Sequence, residues 1–413
     1  MRRIAVVSYH SSPLVEPGLG DAGGMSVYVR SVSQALSKLG FRTDIFTRSD
    51  SGMLAMTEIF PGVRVIAVPA GPAGTVDKLS LTSHISEFVS GIRAFATSTR
   101  SVYDAIHSHY WQSGVAAADL AASWRVPLVH SNHTLAKVKN RHLPPGDPPE
   151  PDARLRGEER VIAAAETLIA STDDEWEHLA CLYGANHDRI KTIYPGVDHA
   201  LFSPSDRATA RRALGLGEGP VLAYVGRIQP LKGLDLALRA VEQLEPALGE
   251  QVTLLVVGGA SGPAGEREEK ALRSLATSLG IADSVRLEGP RPHAATPTFY
   301  RAADAVVVCS YSESFGLSAL EAQACGTPVV GTAVGGLKHI VVDGRSGFLC
   351  DSRDPSQFAG RLKTLLGDRD LARSLSAHAV EGAASFTWER TACELADLYE
   401  CLVTERMPEA CTC

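Results

Sequence analysis

Along the chain, short apolar runs alternate with longer segments whose apolar positions recur every three to four residues. Runs of four to eight residues suit buried strands, and the 3.6-residue period marks helices with one covered face. In the first half the strand-like runs are "RIAVVSYH" (3–10), "TDIFTR" (43–48), "VRVIAV" (63–68), "AIHSHY" (105–110), "PLVHSNH" (127–133), "TLIASTD" (167–173) and "IKTIYPG" (190–196). Helical patterns cover about 25–39 and 81–99. Near "YPGVDHALFSPSD" the pattern breaks into turn formers around Pro195, Gly196 and Pro204, which marks a domain boundary. A second series follows, with "PVLAYVGR", "VTLLVVGG", "SVRLEG", "ADAVVVCS", "TPVVGTA" and "SGFLCD" as strands and "LDLALRAVEQL", a segment near 265–279 and "LSALEAQACG" as helices. The final "TWERTACELADLYECLV" reads as an amphipathic helix. Such alternation predicts parallel sheets covered on both faces. The expected fold is therefore α/β, two Rossmann-like, doubly wound domains over 1–198 and 199–387, with ligands in the cleft beyond the strands' carboxyl ends.

Composition narrows the class. The 413 residues are enough for two cores, and 45% hydrophobic with 21% charged is the balance of a soluble globular protein. A net charge of −7 argues against a nucleic-acid partner, which would need a basic face. No apolar run reaches membrane-spanning length, and "MRRIAVVSYH" is too short and lacks the cleavage site of a secretion signal. Of eight cysteines none shows zinc-type C-x-x-C spacing. Cys309 and Cys325 read as small buried hydrophobes, and the terminal Cys411 and Cys413 as part of a frayed tail. A reduced, cytoplasmic setting is expected.

The stretch "GLGDAGGMSVYV" (18–29) matches G-x-G-x-x-G through Gly18, Gly20 and Gly23. A dinucleotide site would need that turn directly after the first strand and an acid closing the second. Here "SSPLVEP" intervenes, and the second strand closes with Arg48. The glycines either turn a tight loop or, with Gly23 and Gly24 just before a helix, present free amides to another anion.

Three distant features fit a diphosphate. "YVGRIQPLKG" sets Arg227 and Lys232 on a loop at a strand's carboxyl end. "SESFGLSALEAQACGTP" places Glu313 before a helix and Glu321 two turns into it, with the amides of Phe315, Gly316 and Leu317 between them. "GTAVGGLKHIV" supplies another glycine turn. Singly, Glu313 reads as a helix cap and Glu321 as part of a solvated face; together the pattern is far more specific.

That combined pattern resembles the retaining GT-B glycosyltransferases, the group that includes sucrose-phosphate and glycogen synthases. Within it, "SPLVEPGLGDAGGMSVYV", "IHSHYWQSG", "HTLAKVKN", "GRIQPLKG", "SYSESFGLSALEAQACGTPVV" and "AVGGLKHIV" look closest to the actinobacterial mycothiol glycosyltransferases. The resemblance covers essentially the whole chain. It implies a GT-B fold whose last helix (388–413) crosses back to the first domain, which binds acceptor while the second binds donor. It also implies transfer of N-acetylglucosamine from a UDP-sugar to 1L-myo-inositol 1-phosphate, with retention and without a cofactor or an essential metal. In that reading Gly24 offers its amide to the diphosphate and Arg227 and Lys232 hold it. Glu321 binds the ribose, Glu313 the sugar's C3 hydroxyl, and Arg291 of "GPRP" borders the base. His133 lies beside the donor sugar; by itself it also reads as a strand-end core histidine. The leaving phosphate deprotonates the acceptor, so no carboxylate nucleophile is required.

On the acceptor side the resemblance assigns Lys78, Tyr110, Thr134 and Arg154 to an anion cup. It departs at Ser26, where the family has Asn, and around Lys78, where "AGTVDKLSL" replaces the family's segment. The shorter Ser26 implies a wider pocket with fewer directed hydrogen bonds. That keeps a second acceptor reading open, S-glycosylation of ergothioneine with a GDP-octose as in lincosamide pathways. Partners are then small molecules only, and a homodimer is compatible with the family.

Overall fold

The computed structural model describes residues 2–17, 23–260 and 265–406. Gly18 and Gly20 of the glycine motif, and Cys411 and Cys413, lie outside the described residues. Within them the chain forms two sheets. The first contains Arg3–Val7 (β1), Arg42–Arg48 (β2), Ala55–Phe60 (β3), Val63–Val68 (β4), Ala105–His109 (β5), Leu128–Ser131 (β6), Thr167–Ala170 (β7) and Ile190–Thr192 (β8), in the order β3-β4-β2-β1-β5-β6-β7-β8. The second contains Val221–Val225 (β9), Thr253–Val257 (β10), Val285–Gly289 (β11), Ala305–Val308 (β12), Val329–Thr332 (β13) and Gly347–Cys350 (β14), in the order β11-β10-β9-β12-β13-β14.

All pairings are parallel except β3 with β4. That antiparallel edge corrects the expectation of a purely parallel first sheet. Residues 55–60 are mostly exposed, so β3 carries no buried apolar run to betray it; its partner β4 organises it instead.

In each sheet the chain leaves the first strand to one side and later returns on the other, between β1 and β5 and between β9 and β12. Loops diverge at such switch points and open a crevice at the strands' carboxyl ends. The loops after β1, β5 and β6 therefore face the loops after β9, β11, β12 and β13.

Aliphatic layers cover both faces of each sheet. The helix Trp388–Glu405 belongs to the first sheet's core, where Trp388, Leu395 and Tyr399 bury against Ile4, Val32 and Ile45. Its start is fixed by Thr387, whose hydroxyl accepts from the Arg390 amide at 3.1 Å. Cys309, Cys325 and Cys350 are buried, and burial pushes the Cys325 thiol up to about 12, so they pack as small apolar groups. Among the described residues no helix is long and apolar enough to cross a membrane.

Candidate functional site

The two sets of loops meet at several points. The first domain's helix Gly24–Lys38 begins against the second: a Cβ on Gly24 would lie 3.2 Å from Leu317 Cδ1, and one on Gly23 3.5 Å from Arg227 Nε. Residues without Cβ let this helix's free amides approach the opposite loop, where an anion would be shared by amides and guanidinium. Thr172 Oγ1 reaches the Ser314 carbonyl at 3.5 Å, and Asp174 pairs with Lys338 at 2.7 Å.

On the second domain's side, Arg227 and Lys232 sit in the loop after β9, as the strand-end position of "GRIQPLKG" required. Tyr224 donates to the Arg227 carbonyl at 2.7 Å and fixes the backbone there. Lys232 Nζ lies 2.6 Å from Glu313 Oε2, which also accepts from Ser310 Oγ at 3.2 Å. Glu313 is thus the partner of a lysine and not a helix cap; the cap position of the helix Leu317–Ala324 is Gly316, at φ +102°. The glycine turn after β13 seats this loop, because the Gly336 amide donates to the Glu313 carbonyl at 3.0 Å.

Gly335 has φ +44°, and a Cβ there would collide with that same carbonyl. Gly335→Ala is expected to cost about 2–4 kcal/mol, combining a left-handed backbone with overpacking. It should also lower kcat by shifting Glu313. Thermal denaturation read beside steady-state rates checks this; a variant with unchanged Tm and kcat would refute it.

Glu321 is only 7% exposed, which corrects the solvated-face reading. Its two oxygens accept from His293 Nε2 at 2.6 Å and Tyr300 Oη at 2.8 Å. Neither partner was marked in the sequence, because a histidine in a loop and a tyrosine in a helix carry no local signal. Arg291, in that loop, turns to Glu288 at 2.8 Å and leans over the Phe299 ring. Phe315 is buried behind the helix start.

On the first domain's side Lys78 and Arg154, from two separate segments, meet the Tyr110 ring. Lys78 Nζ lies 3.9 Å from its centroid and Arg154 Cζ 5.0 Å, on distances typical of cation–π contact. Arg154 Nη2 donates to Thr134 Oγ1 at 2.8 Å. Tyr110 itself is held at φ +74°, ψ 154°, a backbone strain of about 1–3 kcal/mol that surrounding structure must sustain. Gln112 secures the Lys78 backbone, donating from Nε2 to its carbonyl at 2.6 Å. The altered segment around Lys78 therefore still delivers the lysine to the ring.

Arg154 is fastened by more than the cup. Its Nε donates to Glu158 at 2.8 Å and its Nη1 lies 3.0 Å from Glu150. Burial opposes its charge, but Tyr110, Glu158 and Glu150 outweigh burial and raise its pKa. Ser26 is buried, and its hydroxyl shares a 2.7 Å hydrogen bond with Ser11. The Ser26 hydroxyl is thus tied into the loop after β1.

His133 closes the set at φ +58°, with Nε2 2.9 Å from His109 Nδ1. Burial pushes its pKa down to about 3, so it stands neutral beside the cleft. His10 is the residue that sequence reasoning passed over. It ends "RIAVVSYH" at the carboxyl edge of β1, which was a usable signal. Its ring lies 4.6 Å from Tyr110, its Nδ1 is buried without a hydrogen-bond partner, and burial, then Lys78 and Arg227, hold its pKa well below normal.

Comparison with known proteins decides the family. Residues 206–381 match the model "Glycosyl transferases group 1" and residues 23–196 the "Glycosyl transferase 4-like domain". The chain belongs to this glycosyltransferase family. D-inositol 3-phosphate glycosyltransferases are similar to it along nearly their whole length: that of Thermobifida fusca is 48% identical, covering 94% of this chain and 91% of the relative. That of Frankia alni is 49% identical, covering 93% and 95%. Among solved structures, sucrose-phosphate synthase from Thermosynechococcus elongatus superposes with a TM-score of 0.91 at 30% identity, over 98% of this chain and 100% of that one. Anabaena HepE, solved with UDP and glucose, shares the fold with a TM-score of 0.78 at 22% identity, over 97% and 100%. The glycosyltransferase thus has the GT-B architecture, two Rossmann-like domains with their loop faces opposed.

Proposed function

We propose that this glycosyltransferase moves N-acetylglucosamine, with retention, from UDP-N-acetylglucosamine to 1D-myo-inositol 3-phosphate (the same compound as 1L-myo-inositol 1-phosphate). The observation that carries the reading is that Lys78 and Arg154 lie over the Tyr110 ring, with Thr134 bound to Arg154, a set whose chemistry suits a small-anion cup on the acceptor-side domain. Relatives at 46–49% identity that bear the corresponding name support it.

In this reading Arg227, Lys232 and the Gly23–Gly24 amides bind the donor diphosphate, Glu321 the ribose and Glu313 a sugar hydroxyl. Ser26 lies on the acceptor side beside the cup, and Arg291 borders the base. An acceptor hydroxyl oxygen bonds to the anomeric carbon as the bond from that carbon to the diphosphate oxygen breaks. The electron pair stays on the diphosphate, which also takes the hydroxyl proton, so UDP leaves. The chain's part is to stabilise negative charge growing on that oxygen, which preorganised cations and helix amides do without a metal ion. Glu313 and Glu321 are engaged by Lys232 and by His293 and Tyr300, which fits orienting roles better than nucleophilic attack. Neutral His133 adds a hydrogen-bonding group beside the sugar without a charge.

Purified enzyme with UDP-N-acetylglucosamine and inositol phosphate should give UDP and an α-linked product by NMR. Ser26→Asn should raise that activity if Ser11 holds Ser26 away from the acceptor. Turnover of a GDP-sugar with ergothioneine, and none with inositol phosphate, would overturn the reading.

A further inference from the structure

The carboxylate assigned to the donor ribose is not held by the helix that carries it. Glu321 lies in the helix Leu317–Ala324, while its oxygens are met by two groups from elsewhere, His293 on Oε1 and Tyr300 on Oε2. His293 belongs to the loop after β11. That loop is fixed by Thr296, whose hydroxyl donates to the His293 carbonyl at 2.8 Å. The Phe202 ring lies 5.1 Å from the imidazole, and Glu16 of the first domain accepts from the His293 amide at 3.4 Å.

A carboxylate has about four acceptor positions, two on each oxygen. One donor on each oxygen leaves one acceptor position on each, and the two donors together pin the carboxylate plane. That remainder suits a vicinal diol, which donates two parallel hydroxyl hydrogens. We propose that His293 is a positioning residue for the donor: it orients Glu321 toward the ribose diol and couples donor binding to uptake of a proton on its own ring. The proposal rests on the donor reading above.

The coupling follows from the charges around the imidazole. Glu321 faces it directly, with Glu16 from the loop after β1 and Asp198 from the segment between the sheets. Tyr300 stands across the carboxylate, and Arg291 on the same loop is turned to Glu288. Burial disfavours a charged ring, but Glu321, Glu16 and Asp198 outweigh it and raise the His293 pKa above the usual imidazole value. A bound nucleotide sugar adds two negative charges from its diphosphate. By linkage it must raise that pKa further, so affinity rises as pH falls through the range where free His293 gains its proton. Above that range the ring is neutral in the free enzyme, and affinity is lower.

Isothermal titration of UDP-N-acetylglucosamine between about pH 6 and 8.5, in two buffers of different ionisation enthalpy, reads the uptake directly. This donor is a diphosphate diester and takes no proton itself in that range. Wild-type enzyme should take up a fraction of a proton and bind more tightly as pH falls. His293→Gln, which keeps an amide donor without the charge, should take up none and show a flat profile. His293→Ala should raise the donor KM about tenfold, the scale of one charge-assisted hydrogen bond, with the effect on KM and not on kcat. Melting curves of both variants separate these effects from misfolding.

Proton uptake that survives His293→Gln, or a donor KM unchanged in His293→Ala, overturns the proposal. Glu321→Gln separates it from the reading beneath. If Glu321→Gln weakens donor binding while the His293 variants do not, only the His293 role falls. If Glu321→Gln binds the donor as tightly as wild type, the donor site itself is misassigned and both fall.

Discussion

Lys232→Ala is expected to cut kcat by roughly 10²-fold or more, the scale for removing one group that meets charge developing in the transition state. The lysine is one of two cations at the loop after β9, and it lies 2.6 Å from Glu313. Its loss therefore acts twice. In the proposed reading the departing diphosphate loses a cation, and Glu313 loses the partner that orients it toward the sugar. Glu313 keeps Ser310 Oγ at 3.2 Å and the pair is only partly buried, so the fold should be little affected. Arg227→Ala should match the loss in rate. Steady-state turnover with thermal denaturation as a control decides it, and a Lys232→Ala enzyme with near-normal kcat would remove the diphosphate assignment.

Lys78→Ala should raise the acceptor KM ten- to hundredfold or abolish transfer, since a charge-assisted hydrogen bond contributes about 1.5–3 kcal/mol. Donor binding should be unchanged, because the lysine belongs to the other domain. Arg154→Ala should have a similar kinetic effect, but the structure adds a second consequence. Glu158 is 1% exposed and relies on Arg154, on the Ala136 amide and on the Tyr183 hydroxyl. Removing one partner of a buried ion pair costs about 3–5 kcal/mol, and the two remaining donors favour the lower end. Arg154→Ala should thus melt earlier while Lys78→Ala should not, so Lys78 gives the cleaner test of the cup. Acceptor kinetics untouched in both variants would dissolve the cup, and the inositol phosphate reading with it.

Apart from β3, the pattern of apolar runs was enough to place the strands of two doubly wound sheets, because parallel strands covered on both faces carry near-continuous apolar runs. β3 escaped it for the converse reason: an exposed edge strand has no such run. Motif spacing likewise put Arg227 and Lys232 after a strand end, Glu313 before a helix and Glu321 within it, where chain direction alone fixes the position. What each group touches was not legible. The Lys232–Glu313 pair joins residues 81 apart, His293 meets Glu321 across 28, and Arg154 is held both by neighbours in its own helical stretch and by Thr134. Such contacts depend on how loops from separate strands fold back over one cleft, and no local propensity encodes that. The same holds for Ser26, which the sequence shows only as a missing amide, while the fold turns its hydroxyl to Ser11. The sequence by itself determined which chemistry reaches the cleft; the tertiary structure decided which groups hold one another there, because hydrogen bonds and ion pairs act over a few ångströms in space and not along the chain.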